Sequence, residues 1–415
     1  MPSFDRSHFT GIAFGLALAS FAAYQQFKLP VVLPVLLETY GYDRTLAGGF
    51  MSIYALMGLL LSIRIGRIVE RRGAIGPALF SLGLFAVAEL LALAMPQSGL
   101  LVLLSRGLEG IAFAGLAISG PVLANANAAR RHLPVIAGFI AAWIPVGQLV
   151  ATALAPIALA TVGWQLLWFA GIAGSLVFIL WAVSLRGDAA LADGGLRREA
   201  ADSEPEDRTA QTDAAAAATE GLTRNQRHAL VLVGGIFMLW SCQYFAYMTW
   251  LPQYLVEVHD FGASGAAAGY VVPVFLVMIF CVVAGLAVRY GVSLRWLLVA
   301  ALVCQVIVWA LVPYTDSGLS GLLSLIAYGI SAGVVPTCLF AMPSAVLRRG
   351  HDTARAFGIV MTGRNIGVLV GPVLLAQVFQ AFGSWDWIAP IFGTLTFLTL
   401  PLAIALAFKV GAHED

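Results

Sequence analysis

Twelve apolar stretches, each long enough to cross roughly 30 Å of hydrocarbon as a helix of about 20 residues, recur along this chain. They lie at 9–36, 45–65, 74–95, 99–124, 133–161, 164–184, 229–255, 263–288, 294–313, 318–346, 354–382 and 387–409. Basic residues alternate between them. The intervals Arg64–Arg72, Arg130–Arg131, Arg186–Arg227, Arg289–Arg295 and Arg348–Arg355 hold most of the lysine and arginine, while the alternate intervals hold essentially Arg44 alone. Cations are retained on the cytoplasmic side of a membrane. The pattern therefore predicts an all-α membrane protein with 12 transmembrane helices and both termini, marked by Arg6 and Lys409, in the cytoplasm. Composition agrees: 60% apolar and 11% charged residues leave too little polar surface to cover a soluble globule of 415 residues. The first stretch lacks a strongly basic leader and outruns a signal-peptide core, so it reads as a retained span. A net charge of +1 points to no partner, and the basic intervals are membrane anchors rather than a nucleic-acid surface.

One segment breaks the apolar pattern. Residues 186–228 are rich in Ala, Asp, Glu and Arg without periodicity, the composition of a flexible cytoplasmic linker. It separates an N-terminal six-helix bundle, 1–185, from a C-terminal one, 229–415. The two halves resemble each other. At a constant offset of 218, Gln25, Phe27, Leu33, Pro34 and Gly73 fall on Gln243, Phe245, Leu251, Pro252 and Gly291. Gly163-Trp164 and Gly383 to Trp385 close the fifth and eleventh spans in the same way. A duplicated six-helix unit around a central cavity is a transporter arrangement. Cys242, Cys281, Cys304 and Cys338 lie inside spans without the paired spacing of a metal site or disulfide framework.

Between the second and third spans stands Gly66-Arg67-Ile68-Val69-Glu70-Arg71-Arg72-Gly73. A short turn would gather these charges, with Glu70 capping a neighbouring helix or pairing with Arg67, Arg71 or Arg72; the plainer reading is a basic stop signal. The string resembles the signature loop of the major facilitator superfamily, Gly-x-x-x-Asp-Arg-x-Gly-Arg-Arg, with Glu70 in place of the usual aspartate and Arg71 matching the arginine after it. The resemblance makes Gly66, Glu70, Arg71 and Gly73 a gating loop. In the second half the matching string, Gly285 to Gly291, keeps Arg289 and lacks the acid. The fourth span carries Arg106, Glu109 and Gly110, similar to the superfamily's Arg-x-x-x-Gly motif associated with proton coupling. Antiporters of the superfamily carry Gly-Pro in the fifth span, where this chain reads Trp143-Ile144-Pro145-Val146-Gly147; Gly371-Pro372 stands in the eleventh instead. That departure favours uptake. Trp143 to Gly147 and the overall length also resemble the cyanate and nitroimidazole permease branch.

With the charges of the basic intervals and span ends set aside, five charged residues remain within the spans: Lys28, Glu89, Arg106, Glu109 and Arg364. Charges there are costly and usually functional. Arg364, followed by Asn365, lies about ten residues into its span, near the midplane at a rise of about 1.5 Å per residue, and its donor fork suits an oxyanion; a structural ion pair is the alternative. Lys28, with Tyr24 and Gln25, adds a second cation and neutral donors. Gln243, Tyr244 and Tyr247 on the seventh span fall opposite that cluster in the repeat, and Trp143 matches Arg364 under pseudo-symmetry, so all are candidate substrate contacts. An interfacial aromatic belt is the alternative for the seventh-span rings. Glu109, opposed by Arg106, is the first candidate proton carrier, and Glu89 is the second.

Two cations and few facing acids predict an electropositive cavity. The expected function is secondary active transport: proton-coupled uptake of a small organic anion by alternating access, with no covalent chemistry, cofactor or metal. The competing expectation is proton-coupled efflux of a drug-like or toxic compound. The expected partners are a small anionic substrate, protons and the lipid of a cell inner (plasma) membrane, and the expected state, as for most members of the superfamily, is a monomer. No phosphate loop, nucleophile motif or metal cluster supports an enzyme.

Overall fold

The computed structural model describes residues 7–129, 132, 136, 139–140, 142–185, 223–316, 318–347 and 353–411. Among the described residues, twelve helices are long and apolar enough to cross a membrane. They are α1 (Phe9–Tyr40), α2 (Arg44–Arg72), α3 (Ile75–Ala94), α4 (Gly99–Ala126), α5 (Trp143–Ala160) and α6 (Gln165–Leu185), then α7 (Arg224–His259), α8 (Ala263–Arg289), α9 (Leu294–Leu311), α10 (Leu319–Leu347), α11 (Thr353–Phe382) and α12 (Ile388–Gly411). Short 3₁₀ turns, Val312–Tyr314 and Trp385–Trp387, follow α9 and precede α12. Most of the expected linker, 186–222, lies outside the described residues, as do Arg130, Arg131, Arg348 and Arg349.

Polarity runs inside out. Helix α6 turns Phe169, Leu176, Val177, Leu180 and Val183 outward while burying Gly171 and Ser175, and the charged residues Lys28, Glu89, Arg106 and Glu109 are wholly buried. Exposed apolar surface around a polar interior is stable only where hydrocarbon is the solvent.

The chain forms two compact units, Met1–Ser203 with Gly262–Val271 and Glu204–Phe261 with Val272–Asp415. Helix pairing repeats between them. In the first, α1 packs on α4, α5 and α6, and α3 packs on α4 and α6. In the second, α7 packs on α10, α11 and α12, and α9 packs on α10 and α12. The repeat extends to the backbone. Every residue with positive φ among those described belongs to one of three pairs at nearly constant offset: Gly41 and Asp260, Gly73 and Gly291, Gly163 and Gly383. Each pair stands at the ends of corresponding helices, where a positive φ turns the chain out of the helix, and Gly41 and Asp260 do so in the left-handed helical conformation.

Two boundaries differ from the sequence expectation for local reasons. Helix α7 opens at Arg224, ahead of its apolar stretch, because Thr223 and Gln226 form a reciprocal capping box. The Gly66–Arg72 string is the last two turns of α2 rather than a turn, and only Gly73, with φ 84°, breaks the helix.

Helix α11 lies against α7 along Gly363, Gly367 and Gly371. A Cβ on Gly367 would sit 2.2 Å from the Met238 carbonyl oxygen, a backbone atom that cannot yield without moving α7. Gly367→Ala is expected to lower stability by about 1–3 kcal/mol, the usual cost of overpacking. Gly235→Ala on α7, where a Cβ meets nothing within 4 Å, is expected to be harmless. Thermal unfolding of the two purified variants tests the contrast.

Candidate functional site

The first unit encloses four charges. The Lys28 ammonium pairs with Glu89 Oε1, donates to Gln25 Oε1 at 2.7 Å and stands 3.4 Å from Glu109 Oε1. Arg106 Nη1 pairs with Glu109 Oε2 one turn along α4. All four charged side chains have no solvent exposure. The cluster holds two cations and two carboxylates and is neutral when all are ionised, as burial at low dielectric requires.

Arg106 is held by backbone as much as by charge. Pro30 has no N–H to offer the Gln26 carbonyl one turn back, and Arg106 Nη2 donates to that carbonyl at 3.1 Å. Nη1 also donates to Gln25 O at 3.2 Å and Nε to Phe50 O at 3.4 Å, while the guanidinium carbon lies 4.3 Å from the Tyr54 ring centroid. Gly110 makes this approach possible: a Cβ there would stand 2.8 Å from Tyr54 O. Spacing an arginine four residues before a glycine thus lays both against α2, and Arg106 braces α1, α2 and α4 together.

Lys28 also lies over Trp168 of α6, its nitrogen 4.8 Å from the ring centroid. Tyr24 spends its hydroxyl on the α6 backbone, donating to Leu167 O at 2.6 Å. Gly171 of the same helix makes room for Glu89: a Cβ there would fall 1.8 Å from Glu89 Oε1. Lys28 is therefore not the unpaired cation that the electropositive-cavity expectation assumed. Two carboxylates match it, and Gln25, Glu89, Glu109 and Trp168 contact its ammonium, while Tyr24 bonds to the α6 backbone and Arg106 pairs with Glu109. Trp143 is elsewhere in this unit, half-buried and tilted against Phe113 at 5.8 Å.

In the second unit Arg364 is 8% exposed. Its Nη1 donates to Asn365 Oδ1 at 3.1 Å, and its guanidinium carbon lies 5.5 Å from the Phe245 ring centroid. Among the described residues, no carboxylate lies within ion-pair distance of it. The seventh-span candidates meet a residue that sequence reasoning missed, Tyr328 of α10. It donates to Gln243 Oε1 at 3.4 Å and packs on Tyr247 at 4.4 Å and Tyr244 at 6.4 Å. Trp309 of α9, also missed, packs on Tyr247 and donates to Thr396 Oγ1 at 2.9 Å. These rings form a buried aromatic core rather than an interfacial belt.

The gating candidates lie at the end of α2. Glu70 and Arg71 are exposed, as are Arg67 and Arg72, and Glu70 makes no ion pair among the described residues. Gly73 donates its N–H to Val69 O at 2.8 Å. The arginines at the helix C-terminus offset its negative dipole end.

Comparison with known proteins gives the family. The model of the Major Facilitator Superfamily matches residues 12–354. Among solved structures, a crystal structure of the peptide transporter POT in complex with sulfate matches with a TM-score of 0.72 at 14% identity, covering 97% of this chain and 95% of that one. At that identity the likeness concerns the fold. No curated protein matches by sequence. With the family model spanning most of the chain and twelve apolar helices to meet it, this multi-pass membrane transport protein belongs to the major facilitator superfamily.

Proposed function

We propose that the protein is a proton-coupled transporter that takes up a small organic anion by alternating access. One observation carries the proposal: Arg364 is a buried guanidinium without a carboxylate partner among the described residues. An arginine held in low dielectric calls for an anion, and its planar fork accepts a carboxylate through two parallel hydrogen bonds. Asn365 adds an amide beside it. In this reading Lys28 serves the proton side instead, because Glu89 and Glu109 already use its charge. Arg106 braces that cluster, and the segment of Gly66, Glu70, Arg71 and Gly73, in which Glu70 and Arg71 are exposed and Gly73 is buried, contributes to gating. Trp143, Gln243, Tyr244 and Tyr247 shape the surroundings. The aromatic residues of α7, whose faces would suit an amphipathic efflux substrate, pack on other rings, which weakens that alternative. The working form is a monomer in a cell inner membrane with both termini cytoplasmic.

A pH-gradient assay in proteoliposomes tests the reading with labelled small carboxylates, cyanate and cationic drugs. The expected result is accumulation of an anion that collapses when a protonophore dissipates the gradient. Drug exchange with no anion accumulation would replace this reading by efflux.

A further inference from the structure

We propose that Glu89 carries the coupling proton, one per cycle, and that Lys28 responds by passing its ammonium from Glu89 to Glu109. This inference rests on the proton-coupled reading above. Its basis is the asymmetry of the two carboxylates. Glu109 faces two cations, with Arg106 on Oε2 and Lys28 3.4 Å from Oε1. Glu89 faces one, Lys28 on Oε1, and its Oε2 is buried without a hydrogen bond. A proton arriving at Glu89 Oε2 therefore disturbs one ion pair, whereas a proton on Glu109 works against the field of two cations.

The receiving position is already formed. Glu109 Oε1 accepts no hydrogen bond, and the ammonium needs to close a gap of only 3.4 Å to reach it. Lysine's flexible stem permits that shift; Gln25 and Trp168 keep the head group nearby. The proton balance is simple. A proton from one aqueous side converts the Glu89 carboxylate to the acid, Lys28 keeps its three protons, and the cluster changes from neutral to +1. The same proton leaves from Glu89 on the other side as Lys28 returns. One proton is the capacity because Glu109 keeps both cations throughout.

The groups around Glu89 agree with this assignment. Helix α1 supplies Lys28 and Tyr24, whose hydroxyl is bonded to Leu167 O. Helix α2 supplies Tyr54, and α4 supplies Arg106 and Glu109. Helices α5 and α6 carry no ionisable side chain, and Glu89 is the single one on α3. On α6, Gly171 is a positioning residue, since any side chain there would push the Glu89 carboxylate off Lys28.

Infrared difference spectroscopy on the full-length protein in liposomes tests the assignment without any substrate. Acidification is expected to raise a buried carboxylic-acid carbonyl band that is lost in Glu89→Gln and in the charge-balanced double variant Lys28→Met/Glu89→Gln. The band is expected to persist in Glu89→Asp. Gly171→Ala, which keeps all four charges, is expected to move its pH midpoint. A band that survives both Glu89→Gln variants, or an unmoved midpoint in Gly171→Ala, overturns the proposal. If the band behaves as described while no anion accumulates in the wild type, the proton site stands and the anion reading alone fails.

Discussion

Arg364→Ala is expected to remove anion transport almost completely while leaving the protein folded. Two charge-assisted hydrogen bonds, each contributing about 1.5–3 kcal/mol, amount to a loss of roughly 10²- to 10⁴-fold in kcat/KM. Arg364→Lys keeps the charge and loses the planar fork, so it should recover only part of that. Stability separates this role from a structural one. Removing one member of a buried ion pair strands its partner and destabilises the fold by several kcal/mol, but no described carboxylate lies within ion-pair distance of Arg364. Alanine there should leave the unfolding midpoint unchanged or raise it. A large fall in midpoint, with transport surviving in the folded fraction, would make Arg364 a structural residue.

The hydrophobic pattern reported the spans because lipid rewards apolar length directly, and eleven of the twelve expected stretches start within a few residues of their helices. The opening of the fifth stretch lies mostly outside the described residues, and its described helix begins at Trp143. Capping and local conformation were harder to read. The Thr223–Gln226 box sits in polar sequence that looks like linker, and the charges of Gly66–Arg72 disguise a helix end. Arg364 could be placed near the midplane by counting residues. Pairing could not be read in this way: Lys28 and Glu89 stand 61 residues apart on different helices, and nothing in their local sequence indicates that they meet. Counting Lys28 as a free cation, and the cavity as electropositive on its account, followed from that gap. Gly171 looked like one more small residue in an apolar helix, and its role emerges only once the Glu89 carboxylate lies against it. Tyr328 and Trp309 escaped for a related reason, because an isolated aromatic residue in a span gives no sign of which rings it will meet.

Lys28→Met alone is expected to be among the most destabilising single substitutions in the first unit. It leaves Glu89 and Glu109 buried with Arg106 as their one cation, and breaking a buried pair by removing one partner costs about 3–5 kcal/mol. Adding Glu89→Gln removes the stranded charge and restores the balance of Arg106 with Glu109. The double variant should therefore regain most of the lost stability, giving a coupling energy well beyond the few tenths of a kcal/mol within which independent sites add. Thermal unfolding of the two single variants and the double completes the cycle. If Lys28 instead served as a substrate cation, its loss would weaken anion binding, leave stability nearly intact and gain nothing from Glu89→Gln. The cycle thus decides whether the charge on α1 belongs to the cargo or to the proton, because only a charge already matched inside the protein leaves a carboxylate stranded when it is removed.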